Sequence, residues 1–237
     1  MTRTHVLTGA ASGIGLRLAQ RLSERGDRLV LLVRTPERAS EVAASLGARH
    51  SVHVVDLSAP AEVERAARRL AAELEAVDSL VHCAGAVALA PVEALALADW
   101  QRQLDVNLTT PALLTQALLP GLRAARGTVV FVNSTSGLAA SPGWSAYAAS
   151  KFGLRALADA LRAEEAEHGV RVTTVYPSRT ATPMQAQVHV QEGRAYDPAD
   201  WMQPETVAGT ICHVLDLPAD AVIPEVTLRT APRPPVR

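Results

Sequence analysis

A chain of 237 residues, 48% hydrophobic and 20% charged, has the length of one large domain or two small ones and enough apolar residues to bury a core. Lys and Arg number 23 against 24 Asp and Glu, and aromatics make up 3% of the residues. Neither a basic surface nor a set of stacking platforms is available for nucleic acid. Two cysteines, Cys83 and Cys212, are too few for a disulfide framework, the His residues are scattered, and no apolar run reaches the roughly 18 residues of a membrane helix. With no signal-peptide pattern before the first apolar run, the expectation is a soluble, cytoplasmic protein with no metal site, no nucleic-acid partner and no membrane segment.

Short apolar runs alternate with longer helical patterns from end to end. Residues 5–8 form a first strand, followed by a glycine turn and a helical stretch over 14–25. A second strand over 29–33 leads to a helix over 37–46, and a third over 51–55 to an Ala/Glu/Arg-rich helix over 61–76. The fourth strand, 79–82, precedes helices at 92–97 and 99–125, and the fifth, 128–132, a long helix over 146–168. A sixth strand over 171–175, a helix over 204–215 and a seventh strand over 222–228 complete the pattern. Wholly apolar strands separated by helices predict a mainly parallel sheet covered on both faces. Right-handed crossovers then make it a Rossmann-type, doubly wound α/β fold of seven strands. No linker interrupts the alternation, so residues 1–237 are expected to form a single domain, with a frayed Pro-rich tail over 232–237.

The first strand turns into the first helix through Thr8-Gly-Ala-Ala-Ser-Gly-Ile-Gly15. Gly9 permits a tight turn, Gly13 lets a diphosphate approach the backbone, and Gly15 allows the helix to pack closely on the strand. Ser12, Gly13 and Ile14 stand at the helix N-terminus, where free amides and the partial positive charge suit phosphate. No Lys-Ser or Lys-Thr follows, as a mononucleotide loop would require, so the expected ligand is a dinucleotide.

With these residues the sequence resembles the short-chain dehydrogenase/reductase family over nearly its whole length. His82-Cys83-Ala84-Gly85 stands in the place of the family's N-N-A-G, Asn107 in Asp105-Val-Asn107, and Ser134 after the fifth strand. Tyr147-Ala-Ala-Ser-Lys151 supplies Y-x-x-x-K, and 177–182 resembles P-G-x-x-x-T with Ser178 in place of Gly. Tyr147 and Lys151 stand on one helix face, where a cation beside the phenol would bring its pKa down toward the working range. Ser134 lies 13 residues before Tyr147 at a strand's C-terminal end, where open α/β sheets build sites. The resemblance implies a catalytic tetrad. Ser134 polarises the substrate carbonyl, Tyr147 acts as acid and base, Lys151 assists and holds the nicotinamide ribose, and the Asn107 backbone carbonyl holds a water in the proton relay. Taken alone, Asn107 also fits a helix kink or cap. The implied reaction is hydride transfer between a nicotinamide and a carbonyl or secondary alcohol of a small organic substrate.

NAD-preferring sites carry an acid after the second strand, whereas this chain has Arg34-Thr35 there. Arg34 can fork onto a 2′-phosphate with Thr35 beside it and Arg38 as a weaker second, so NADP(H) is favoured over NAD(H). The resemblance further implies that Asp56 and Leu57 contact the adenine and that Pro177, Thr180 and Thr182 wrap the nicotinamide end. Residues 184–201 stand where the family carries its substrate lid. Trp144, Leu138, Met184, Tyr196 and Trp201 are candidates to line an apolar pocket there. A homodimer or homotetramer is implied through the helices at 99–125 and 146–168. Two other readings stay open: a dinucleotide-binding sensor without turnover, and an epimerase, for which 237 residues leave no substrate domain.

Overall fold

The computed structural model describes residues 2–47 and 49–232, so the expected frayed tail lies outside the described residues from 233 onward. Strands β1 (Thr4–Thr8), β2 (Arg28–Val33), β3 (Ser51–Val54), β4 (Ser79–His82), β5 (Thr128–Val132), β6 (Arg171–Pro177) and β7 (Glu225–Leu228) form one sheet. Their order is β3-β2-β1-β4-β5-β6-β7, and every pairing is parallel. The helices are α1 (Gly13–Glu24), α2 (Pro36–Leu46), α3 (Pro60–Glu73), α4 (Leu97–Leu104), α5 (Thr110–Ala125), α6 (Ser145–Glu164), α7 (Pro183–Gln191) and α8 (Pro204–Leu215). This is the doubly wound Rossmann-type sheet that the alternation predicts.

The unbroken apolar strands follow from burial on both sides. Along β1 and β2, Val6, Val30 and Leu32 pack with Leu70 of α3, Leu114 and Leu118 of α5, and Leu154 of α6. Their neighbours Leu7, Leu29 and Leu31 point the other way, against Leu18 and Leu22 of α1, Val42 of α2 and Ile211 of α8. Alternate side chains thus feed two separate cores, which is why the strands show no polar face.

Helix starts follow local chemistry. Pro opens α2, α3, α7 and α8, where its missing N–H costs nothing. The Thr35 and Thr182 hydroxyls accept from the backbone of Arg38 and Gln185 and so cap α2 and α7.

Three expectations are corrected. The helix predicted over 99–125 is α4 and α5 joined by a π-helical turn at Asp105–Thr109. The reason is Asn107. Its side chain donates to the Ala86 carbonyl at 2.9 Å and accepts from the Ala86 amide at 2.8 Å, an attachment outside the helix that needs the extra residue in the turn. The helix predicted at 92–97 is a single 3₁₀ turn, Val92–Ala94, since Pro91 and an extended Leu95 bracket it. The stretch from 184 contains helix α7, where no helix is predicted.

Candidate active site

Strand β1 lies between β2 and β4, and the chain leaves it in opposite directions on the two sides. That reversal opens a crevice at the C-terminal ends of the strands, where open α/β sheets bind ligands. The crevice has a volume of about 660 Å³ and runs from the glycine turn past Arg34 and Asp56 to Ser134, Tyr147 and Met184.

The glycine turn fits a dinucleotide's diphosphate. Gly9 has φ +71, and a Cβ there would stand 2.8 Å from the Ala84 nitrogen; Gly13 has φ +52, and a Cβ there would stand 2.9 Å from Thr182 Cγ2. Both positions therefore need glycine, and Gly13 leaves the backbone bare toward the crevice. No side chain caps α1 and no acid stands in its first turn, so its leading amides and positive dipole end are available to an anion. The Ala84 amide donates to Thr8 Oγ1 at 3.1 Å, tying the loop after β4 to the end of β1.

At the other end, α6 carries Tyr147 and Lys151 one turn apart, exposed by only 7% and 3%. Lys151 Nζ donates to the Val132 carbonyl at 3.0 Å and lies 5.8 Å from the Tyr147 ring centre. Burial pushes the Tyr147 phenol up to about 12, while the Ser134 hydroxyl beside it pulls the other way. Burial also brings Lys151 down to about 8, partly offset by Cys83. The lowered phenol expected from the sequence is thus not what the chain's own groups produce, because desolvation outweighs the Ser134 hydrogen bond. Ser134 Oγ accepts from the Ser136 amide at 3.1 Å and N-caps a 3₁₀ turn, which fixes its side chain at the end of β5. Trp144 packs edge-to-face on Tyr147, with ring centres 5.7 Å apart.

Asn107 is fully buried behind this wall, its amide also donating to Ser150 Oγ at 2.9 Å. Its side chain is wholly occupied by structure, and the kinked helix and the implied tetrad place coincide at one residue. Gly9, Ser12, Gly13, Ile14, Gly15, Arg34, Asp56, Leu57, Cys83, Ala84, Gly85, Pro177, Thr180 and Thr182 all line the crevice. Thr35 is not among the lining residues; its hydroxyl is turned to the α2 cap. Asp56 accepts from the Ser58 amide and hydroxyl, which hold its carboxyl below the usual range, with Arg34 adding to the effect.

The departures from the family pattern have visible consequences. His82 stacks on Phe131 with ring centres 5.0 Å apart and meets Thr115 Oγ1 at 2.9 Å, while its Nδ1 has no partner. Burial, helped by Lys151, drives its pKa down to about 3. Ser178 uses its hydroxyl to accept from the Thr230 amide at 3.0 Å, tying the chain's end to the crevice loop.

Among the pocket candidates, Trp144 and Met184 line the crevice; Tyr196 and Trp201 instead pack around His189, and Leu138 is not on the lining. Sequence reasoning missed Val87, Val188, Arg102 and Arg179. Arg179 stands inside the quoted 177–182 motif, which was the available signal. Val188 needed helix α7 to be recognised.

Residues 3–193 match the family described as short chain dehydrogenase. A D-threitol dehydrogenase of Mycolicibacterium smegmatis is 37% identical over 183 residues, covering 76% of this chain and 70% of that protein. An alcohol dehydrogenase from the archaeon Thermococcus sibiricus shares the fold, with TM-score 0.85 and 24% identity over 100% of each chain. A protein of Beutenbergia cavernae described as an NAD(P)-dependent gluconate 5-dehydrogenase, with NADP bound, has TM-score 0.82 and 30% identity over 95% of this chain and 94% of that one. With the glycine turn, Ser134, Tyr147 and Lys151 gathered on one crevice of a doubly wound sheet, the chain belongs to the short-chain dehydrogenase family of oxidoreductases.

Proposed function

We propose that the chain interconverts a carbonyl group and a secondary alcohol on a small molecule, using NADP(H) in preference to NAD(H). The observation that carries this reading is the convergence of Ser134, Tyr147 and Lys151 on the crevice that begins at the glycine turn. The names of the relatives point the same way, since D-threitol and gluconate 5-dehydrogenases act at alcohol carbons.

When bound, the dinucleotide supplies or accepts the hydride. Ser134 donates a hydrogen bond to the substrate oxygen and orients it. Tyr147 gives that oxygen its proton in reduction and recovers it in oxidation. Lys151, anchored by the Val132 carbonyl, supplies the positive charge that favours phenolate once the proton has left, and its remaining donors would hold the nicotinamide ribose. Asn107 offers its backbone carbonyl to the proton relay, since its side chain is committed to Ala86 and Ser150.

Arg34, exposed at the crevice rim with no acid in the two positions that follow β2, is the 2′-phosphate reader, with Arg38 as a weaker second. A single-domain chain acting as a homodimer or homotetramer in the cytoplasm, with 184–201 as the substrate lid, completes the proposal.

Steady-state consumption of NADPH and NADH over a panel of ketones and aldehydes tests it. Arg34→Asp is expected to lower the NADPH-to-NADH ratio of kcat/KM by at least about tenfold. An unmoved ratio contradicts the role of Arg34, and no NADPH consumption with any carbonyl contradicts the proposal as a whole.

A further inference from the structure

The substrate end of the crevice carries a cation that the proposed chemistry does not use. Arg179 lines the crevice just after β6, with its guanidinium carbon 5.9 Å from the Trp144 ring and 5.4 Å from the Trp201 ring. Trp144 in turn packs on Tyr147, so Arg179 stands one ring away from the proposed acid. A forked guanidinium at that distance would bind a substrate carboxylate, were its fork free. It is not free. Both arms are taken by Glu192 at the end of α7, Nη1 to Oε2 at 2.8 Å and Nη2 to Oε1 at 2.5 Å. Glu192 is only 14% exposed, and Arg179 holds its carboxyl below the ordinary range, so the pairing persists at mildly acidic pH. Val87, Tyr147 and Val188 form an apolar cluster with Trp144 and Met184, and Arg102, which also lines the crevice, is paired with Asp99 at 3.0 Å.

We propose that Glu192 sets the charge of the substrate: by filling the Arg179 fork it removes the guanidinium that a carboxylate would need, so the chain takes uncharged carbonyl compounds with an apolar substituent and rejects carboxylates. Glu192 acts through Arg179 and is a specificity-determining residue, not a catalytic one. The inference rests on the proposed reaction for its turnover readout, and on binding alone for its second readout.

The test compares wild type, Glu192→Gln and the double variant Glu192→Gln with Arg179→Met, each as the full chain with NADP+ added. Hexanoate binding is measured by calorimetry. In parallel, kcat/KM is taken for a methyl ketone and for the keto acid whose far methyl is a carboxylate. Glu192→Gln is expected to bind hexanoate at least about tenfold tighter than wild type and to raise the acid-to-ketone ratio by a similar factor. Both gains should vanish in the double variant, which a merely structural loosening of α7 would not produce. Equal hexanoate affinity in all three proteins, or tight binding by wild type, overturns the proposal. If no protein turns over either carbonyl, the proposed reaction fails while the hexanoate comparison still decides the role of Glu192.

Discussion

Tyr147 and Lys151 stand on the same helix face, yet the protein moves both away from their charged forms, the phenol up to about 12 and the ammonium down to about 8. Burial is the main cause in both cases, and the Ser134 hydroxyl works against it for the phenol. His82 shows the same physics without a catalytic role. It is buried against Phe131, with Nδ1 unpartnered and a pKa near 3, so protonating it puts an uncompensated charge in the sheet. Because its pKa is lower folded than unfolded, the unfolded chain binds the extra proton. Stability is therefore full above about pH 6.5 and declines as the pH falls toward 3. Between about pH 6.5 and about pH 5 this one group costs about 2 kcal/mol. Urea unfolding midpoints should fall over that range in wild type and fall less in His82→Asn. His5, also depressed by burial, keeps the variant's decline from vanishing. Parallel declines in the two proteins would show that His82 is not held neutral by the fold.

At the scale of elements, the turn between β1 and α1 is the most tightly determined segment. Its Gly9 sits at φ +71 against the Ala84 backbone, which cannot yield as a flexible side chain would. Gly9→Ala is expected to cost about 2 kcal/mol or more, seen as a lower melting temperature, and to weaken dinucleotide binding because the loop after β4 is displaced. A melting temperature and dissociation constant equal to wild type would contradict the close approach. Elements also show what the sequence made legible. Strands β1, β2 and β5 stand out because burial on both faces leaves their centres almost wholly apolar. The π turn could not be read, since it is imposed by Asn107 reaching Ala86, a contact 21 residues away along the chain. Helix α7, Pro-Met-Gln-Ala-Gln-Val-His-Val-Gln, has only weak helical periodicity. It is held instead by the Thr182 cap, by Glu192 on Arg179, and by Gln191, which accepts from the Leu89 amide.

For the whole molecule, the crevice collects residues from positions 9 to 188, and no one segment holds the site. The glycine turn, Ser134, Tyr147 and Lys151 were legible because each sits at a strand end or on one helix face, where local chemistry reveals position. Arg179 and Glu192 were not, because their pairing depends on α7 folding back over the crevice. Thr35 lies off the crevice lining, because a hydroxyl just before a helix has a near task in its cap. On the proposed reading, binding and turnover are separable, with the dinucleotide held mainly from the glycine turn and β2, and proton transfer resting on Tyr147. The direct test of the account is the rate of NADPH oxidation by a reactive ketone for wild type and Tyr147→Phe, alongside NADPH dissociation constants for both. In Tyr147→Phe, kcat/KM is expected to fall about a thousandfold, with dinucleotide affinity changed by less than about threefold. A Tyr147→Phe protein that turns over at the wild-type rate would contradict it.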